Sequence, residues 1–306
     1  MHLPEAVAQL DAAAEPSRLR LLVALLGGET RVGDLVAVLE QSQPRVSRHL
    51  RLLTEAGLVE SFREGRSIFY RWSPAGLDAG VAGPVAALAA SPDPTIARDR
   101  DRLRKLSRQR EREALRRALR AGRAGGLHST DDGDAALAEL IHAILGAAPL
   151  GQVLVVGCGS GDVLRLLLAR VRSAVGTEPS AHRRDLARAR LREAGVPRWT
   201  IRDAEAARLP FEPGAFDLVI LQDVLGAGRT SESGAILAEA TRVLVPAGRL
   251  LILDRVLPTD GELPARLAAL GLLVSRRQWL PGRTPDRALF LAGLPAAIPA
   301  RTGTHD

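Results

Sequence analysis

A single cysteine, Cys158, in a chain of 306 residues excludes a disulfide framework and leaves no set of thiolates for a metal cluster. No apolar run approaches the ~20 residues that an α-helix needs to cross a bilayer. The opening residues, Met1-His2-Leu3-Pro4-Glu5, lack the basic start and apolar core of a secretory signal. The expectation is a cytoplasmic protein in a reducing compartment. Outside one arginine-rich zone there is no low-complexity tract, and there is no internal repeat.

Hydrophobic residues make up 46% of the chain and charged residues 25%, a globular balance rather than a disordered one. The length suits two domains, each long enough to bury its own core. The net charge is +7 and its cations are mostly arginine, which points toward a polyanionic partner without identifying one. Composition divides the chain into residues 1–92, a basic and helix-like stretch at 93–127, and residues 128–306. Ser91-Pro92-Asp93-Pro94 makes the first break, because its two prolines disfavour helix.

In the first zone, Gln41-Ser42-Gln43-Pro44-Arg45-Val46-Ser47-Arg48-His49-Leu50-Arg51-Leu52-Leu53 reads as a helix with Pro44 in its first turn. Val46, Leu50 and Leu53 fall at helical spacing and form the inward stripe. Ser47, Arg48 and Arg51 lie opposite, with Gln43 and Arg45 at the start. A shorter helix over Val32–Leu39 precedes it through Glu40-Gln41-Ser42, a helix-turn-helix connection. Two strands then flank Glu64-Gly65-Arg66, forming a wing with Arg63 and Arg66 near its tip. Such a helix fits the major groove, where one arginine on guanine is worth about 1–3 kcal/mol of discrimination. Wing arginines reach phosphates or the minor groove. Gln43, Arg45, Ser47, Arg48, Arg51, Arg63 and Arg66 are therefore the candidate contacts to double-stranded DNA. His49, Tyr70 and Trp72 read as packing residues.

Ala14-Glu15-Pro16-Ser17-Arg18-Leu19-Arg20-Leu21-Leu22, Val46-Ser47-Arg48-His49-Leu50, Glu55-Ala56-Gly57-Leu58-Val59 and Glu64-Gly65-Arg66 together resemble the ArsR family of winged-helix repressors, over about residues 11–72. The resemblance implies binding of operator DNA as a homodimer, paired through residues near 5–14 and 75–90. Metal-sensing members often carry a Cys-x-Cys pair before the turn. Here that region is Glu29-Thr30-Arg31-Val32-Gly33-Asp34-Leu35, so no metal site is expected.

Residues 96–126 hold twelve arginines and lysines against four acids. Two readings stay open: a solvated connecting helix, or an added electrostatic contact to DNA.

From residue 128 onward, apolar β-type runs alternate with helical patterns, the signature of a mostly parallel α/β sheet. Val153-Leu154-Val155-Val156 runs as a buried strand into Gly157-Cys158-Gly159-Ser160-Gly161, and a helix follows with Leu164, Leu167 and Leu168 inward. Glycines there let a ligand approach the backbone at the end of the strand. A second strand ends at Glu178, about twenty residues on, where a ribose-binding carboxylate belongs. A dinucleotide fingerprint would place glycine at position 162, which is Asp162.

The G-x-G-x-G spacing, Asp203-Ala204-Glu205, Leu209-Pro210-Phe211, Phe216-Asp217-Leu218-Val219-Ile220 and Pro246-Ala247-Gly248-Arg249-Leu250 resemble class I methyltransferases that use S-adenosylmethionine (SAM). The likeness covers about residues 150–292. It implies a Rossmann-like sheet closed by an antiparallel pair. It also implies that Gly157, Gly159 and Gly161 line the methionine end of SAM, Glu178 the ribose, and Asp203 and Ala204 the adenine. Gln222 and Asp223 would open toward the methyl group. Asp217 reads as ordering the start of its strand, and Cys158 as a small filler.

Two features depart from the family pattern. Val155 stands where an acid is usual, and only about seventeen residues separate Asp254 from Leu272, where substrate-covering elements commonly lie. Three readings stay open. The chain is a DNA-binding regulator that methylates a small-molecule acceptor, a regulator that senses SAM or another adenosyl ligand without catalysis, or a regulator whose second domain serves dimerisation. No Asn/Asp-Pro-Pro-aromatic motif supports methylation of DNA bases.

Overall fold

The computed structural model describes residues 2–120, 131–193, 198–226, 230–255, 263–279 and 287–293. The end of the basic zone, Arg123 included, lies outside the described residues, as does much of the stretch between Asp254 and Leu272. Two compact units are present: Met1–Arg120 with Arg188–Thr200, and Ala121–Ala187 with Ile201–Asp306.

The first unit carries α1 (Leu3–Ala13), α2 (Pro16–Leu26), β1 (Thr30–Arg31), α3 (Val32–Leu39), α4 (Gln43–Glu55), β2 (Val59–Glu64), β3 (Ser67–Trp72), α5 (Pro74–Leu77), α6 (Ala82–Ala90) and α7 (Pro94–Arg120). Pro16 opens α2 where a missing N–H costs nothing, and Glu15 caps it by accepting from the Arg18 N–H at 2.8 Å. Burial alone would raise the Glu15 pKa, but that bond and its neighbours hold the carboxyl below its ordinary range. The chain leaves α3 through Glu40 in a left-handed conformation (φ 55°), re-enters helix at Ser42, and leaves α4 at Gly57 (φ 71°).

Val46, Leu50 and Leu53 on α4 are fully buried against Leu21, Leu22, Leu25 and Leu35. Burying each such side chain is worth about 1.5–3 kcal/mol. The wing strands pair antiparallel from Val59 with Trp72 to Glu64 with Ser67, and β1 adds to the other edge of β3. Trp72 reaches into the core and donates its indole N–H to the Leu22 carbonyl at 3.0 Å, which ties the wing to α2.

The long helix α7 buries Ile96, Leu103, Ser107 and Ala114 along one stripe. Several charges of the arginine-rich zone are used inside this unit. Asp99 accepts from Arg20 at 2.6 and 2.8 Å, Arg110 binds both oxygens of Asp34, and Arg102 pairs with Glu40 at 2.7 Å. Arg98, Arg104, Arg112 and Arg116 remain exposed on the opposite side.

The second unit is built on a seven-stranded sheet in the order β6-β5-β4-β7-β8-β10-β9. Its strands are β4 (Gln152–Val156), β5 (Ser173–Thr177), β6 (Trp199–Arg202), β7 (Phe216–Gln222), β8 (Leu244–Arg255), β9 (Leu273–Trp279) and β10 (Arg287–Gly293). The helices are α8 (Asp131–Leu145), α9 (Asp162–Leu167), α10 (Ala181–Glu193), α11 (Thr230–Val243) and α12 (Leu263–Ala269), with the end of α10 from Arg188 and the first two residues of β6 counted in the first unit. The strands β5, β4, β7 and β8 run parallel, and β10 lies antiparallel between β8 and β9. The mostly parallel sheet and its closing antiparallel pair follow the expectation from sequence.

The central strands are apolar on both faces, with Leu154, Val155, Leu218, Val219 and Ile220 fully buried, as a sheet covered on both sides requires. Asp217, near the start of β7, orders the start of the neighbouring β4 and not of its own strand: its Oδ2 accepts from the Gln152 N–H at 2.7 Å, next to Gly151 at φ 71°. Arg242, hydrogen-bonded to both oxygens of Glu239, holds that carboxyl down to about 2, and the same carboxylate accepts the Leu209 N–H.

Candidate DNA-reading face and cofactor cradle

On α4 the buried stripe leaves the opposite side open to solvent. Gln43, Arg45, Arg48 and Arg51 are exposed and Ser47 is half-buried. Arg51 makes one ion pair, 3.5 Å from Glu55, with both side chains mostly in solvent, an interaction worth little. Arg63 and Arg66 are exposed beside Gly65 (φ 56°), and the Arg63 Nε–H donates to the Gly65 carbonyl at 3.1 Å. Of the seven residues expected to meet DNA, five therefore lie on α4, one near the end of β2 and one on the turn that follows it.

His49 turns away from that row. Its Nδ1 lies 3.6 Å from the Glu15 carboxylate, and neither ring nitrogen has a hydrogen-bond partner. On α1, Gln9 and Ala13 are buried, whereas Leu3, Val7 and Leu10 are 78%, 47% and 58% exposed along one face. Among the described residues no cluster of His, Cys, Asp and Glu has the make-up of a metal site, and no helix is long and apolar enough to cross a membrane.

In the second unit strand order reverses at β4, between β5 and β7, the place where open α/β sheets bind ligands. The glycine turn is held there by two bonds, from the Gly157 and Cys158 N–H groups to the Thr177 carbonyl, both 2.9 Å. Gly157, Gly159 and Gly161 all have positive φ (74°, 55° and 86°), a region that L side chains rarely enter. A Cβ at 157 would stand 2.6 Å from the Gln222 carbonyl and 2.5 Å from Val224.

Glu178, at the end of β5, is 4% exposed. Its Oε2 accepts the Gly159 N–H at 3.2 Å and its Oε1 the Ser180 N–H at 2.9 Å, so it faces the turn. Arg184 is buried and bridges the site. It donates to the Glu178 carbonyl at 2.7 Å and to Asp203 Oδ2 at 3.0 Å. Asp203 is otherwise exposed, and Ala204 beside it is half-buried.

Gln222 ends β7 with a buried Oε1 that has no partner, and Asp223 follows at φ 51°. Val155 is fully buried in the strand, paired in register with Gly176 and Ile220. The structure therefore groups Gly157, Gly159, Gly161, Glu178 and Asp203 at one end of the sheet, with Gln222 beside the turn. Arg184 is the member of this group that sequence reasoning misses. Its signal is its place one turn into the helix after Glu178, within reach of the Glu178 carbonyl and the Asp203 carboxylate.

These residues suit an adenosyl ligand: a side-chain-free turn, a carboxylate aimed across it, and an unpartnered buried amide oxygen. Residues 15–61 match "Bacterial regulatory protein, arsR family", and residues 153–248 match "Methyltransferase domain". The chain is 47% identical over 62 residues to the biofilm growth-associated repressor of Agrobacterium fabrum, covering 20% of this chain and 53% of that protein. It is 45% identical over 62 residues to the arsenical resistance operon repressor of Escherichia coli, with the same 20% and 53% coverage. The chain thus spans about half the length of the curated relatives it matches, 53% in both cases. Among solved structures it is similar to a SAM-dependent methyltransferase from Aquifex aeolicus, at 19% identity and a TM-score of 0.45, covering 51% of this chain and 88% of that one.

Proposed function

From a chain that joins an ArsR-type helix-turn-helix segment to a methyltransferase domain, we propose a DNA-binding transcriptional regulator, working inside the cell, whose second unit binds SAM and methylates a small-molecule acceptor. The observation that carries the reading is the pairing of two features in one chain. An exposed arginine row, Arg45, Arg48 and Arg51, stands beside a wing, and a glycine cradle faces Glu178.

Bound SAM supplies an electrophilic methyl on a sulfonium. The protein's part is to hold it: Glu178 takes the ribose hydroxyls, Asp203 the adenine amino group, and the turn the methionine end. Gln222 offers its free Oε1 to the ligand or to a donor on the acceptor. Such positioning is how an enzyme accelerates an in-line displacement without supplying a strong base. Val155 favours a second reading, a sensor without turnover, because a fully buried valine offers no carboxylate to order the methionine end.

The test is selection of bound duplexes from a random pool by the full chain. The result expected is enrichment of one sequence class organised as two half-sites. Recovery of a pool no different from its input would remove the DNA-binding reading.

The exposed face of α1 supports a homodimer, since Leu3, Val7 and Leu10 form an apolar stripe that a second copy would cover. Glutamate at all three positions is expected to convert a sedimenting dimer into a monomer. A variant that sediments with the wild type would place the dimer interface elsewhere.

A further inference from the structure

The first unit includes residues 188–200, which lie far outside the arsR-type match and inside the methyltransferase match. Within that unit Arg188 is 4% exposed and fully engaged. Its Nη1 and Nη2 donate to the two oxygens of Glu64 at 3.1 and 2.6 Å, and its Nε donates to Glu29 at 2.5 Å. The guanidinium lies 4.2 Å from the centre of the Phe69 ring, and Arg31 lies 5.1 Å from the same ring. Phe69 stacks on Phe62 at 5.3 Å across the wing strands. Glu29 is 0% exposed and also accepts from the Thr200 hydroxyl, while Arg192 donates to the Glu29 carbonyl and to Thr30.

Glu64 is the last residue of β2, between Arg63 and the Gly65-Arg66 turn. A carboxylate at that point opposes the approach of a phosphate backbone to the two wing arginines. It is neutralised by a fork of two parallel N–H···O bonds, the strongest geometry an arginine offers.

We propose that Arg188 is a positioning residue for DNA recognition: by neutralising Glu64 and stacking on Phe69 it fixes the wing so that Arg63 and Arg66 meet the duplex without an opposing charge. The inference rests on the DNA-binding reading above. It assigns part of the DNA-reading head to a segment that an arsR-type module does not itself contain. It follows that residues 1–120 alone lack the arginine shared by Glu64 on the wing and Glu29 just before β1.

The experiment measures duplex affinity and its salt dependence for the full chain, for Arg188→Gln, Arg188→Lys and Glu64→Gln, and for the double variant Arg188→Gln, Glu64→Gln. Arg188→Gln is expected to weaken binding by about tenfold or more, because the Glu64 carboxylate loses the Arg188 fork beside the phosphates. Arg188→Lys keeps the charge but loses the fork, and should fall between it and the wild type. Glu64→Gln should bind at least as tightly as the wild type, and the double variant should recover to within about threefold of it.

A purely structural role for Arg188 would give a loss that Glu64→Gln does not repair, and that outcome overturns the proposal. Binding by Arg188→Gln equal to the wild type does the same. Arg188→Lys and Glu64→Gln decide the matter even where Arg188→Gln loses its cooperative melt, since Glu64→Gln weaker than the wild type contradicts the assigned charge effect. Failure of the wild-type protein to bind any duplex would instead strike the DNA-binding reading itself.

Discussion

Replacing Arg45, Arg48 and Arg51 together with alanine is expected to weaken duplex binding by about a thousandfold, at about 1.4 kcal/mol or more for each arginine removed. All three side chains are exposed on the face of α4 opposite its buried stripe, so their removal should not disturb the fold. The one ion pair given up, Arg51 with Glu55, lies mostly in solvent and contributes little to stability. The melting temperature should stay within a few degrees of the wild type. The slope of log affinity against log salt should fall by about 0.9 for every neutralised phosphate released. Fluorescence anisotropy on the selected duplex, across a salt series, reads both quantities. A variant that binds as the parent does would show that α4 is not the reading helix.

The second large effect is expected at Gly157. Alanine there must adopt φ near 74° and place a Cβ 2.6 Å from the Gln222 carbonyl and 2.5 Å from Val224. The left-handed backbone costs roughly 1–2 kcal/mol and the overpacking roughly 1–3 kcal/mol more. A fall in melting temperature of about 4–20 °C follows for a unit of this size. SAM binding should disappear with it, because relief of the clash moves either the turn or the end of β7, and both line the cradle.

Gly146 provides the control. It has nearly the same φ, 73°, but nothing within 4 Å of an added Cβ. Alanine at 146 should cost only the backbone component and leave SAM binding unchanged. Thermal melts with and without SAM distinguish the two variants. Equal behaviour at both positions would mean that the close approach at Gly157 does not shape the cradle.

Much of this is legible in the sequence because it is written in local periodicity. The stripe Val46, Leu50, Leu53 specifies which side of α4 is buried, and therefore which arginines are not. The glycine turn after an apolar strand, with an acid about one βα unit later, specifies the end of the sheet where a ligand would sit. Asp217 is readable as a strand-ordering residue because a lone acid at the start of a buried strand has nearby backbone N–H groups to satisfy.

The illegible part depends on pairing across long sequence separations. Glu29, in a Gly-Gly-Glu-Thr stretch with no helical or strand period, carries no local sign of burial, yet it is 0% exposed and held by Arg188, Arg192 and Thr200. Arg188 and Arg192 sit among many arginines on α10, and no local signal separates a buried arginine from a solvated one. The same holds in α7. Composition assigns its arginines to solvent or DNA, whereas Arg102 and Arg110 meet acids on or just after α3, more than sixty residues away. Arg184, the group that joins the Glu178 backbone to Asp203, differs in that its place one turn into the helix after Glu178 marks it.

On the function proposed above, one chain carries both a DNA-reading winged helix and a working adenosyl-ligand cradle, and the cradle is the half that rests most on geometry. The most direct measurement is calorimetric titration of the full chain with SAM and with its demethylated product, beside a variant carrying Glu178→Ala and Asp203→Ala. Saturable binding of both ligands by the wild type and loss of that binding in the variant are expected. Each charge-assisted bond removed is worth about 1.5–3 kcal/mol. Absence of binding at about millimolar ligand, a binding free energy weaker than roughly −4 kcal/mol, would contradict the proposed cradle and leave a DNA-binding regulator whose second unit holds no cofactor.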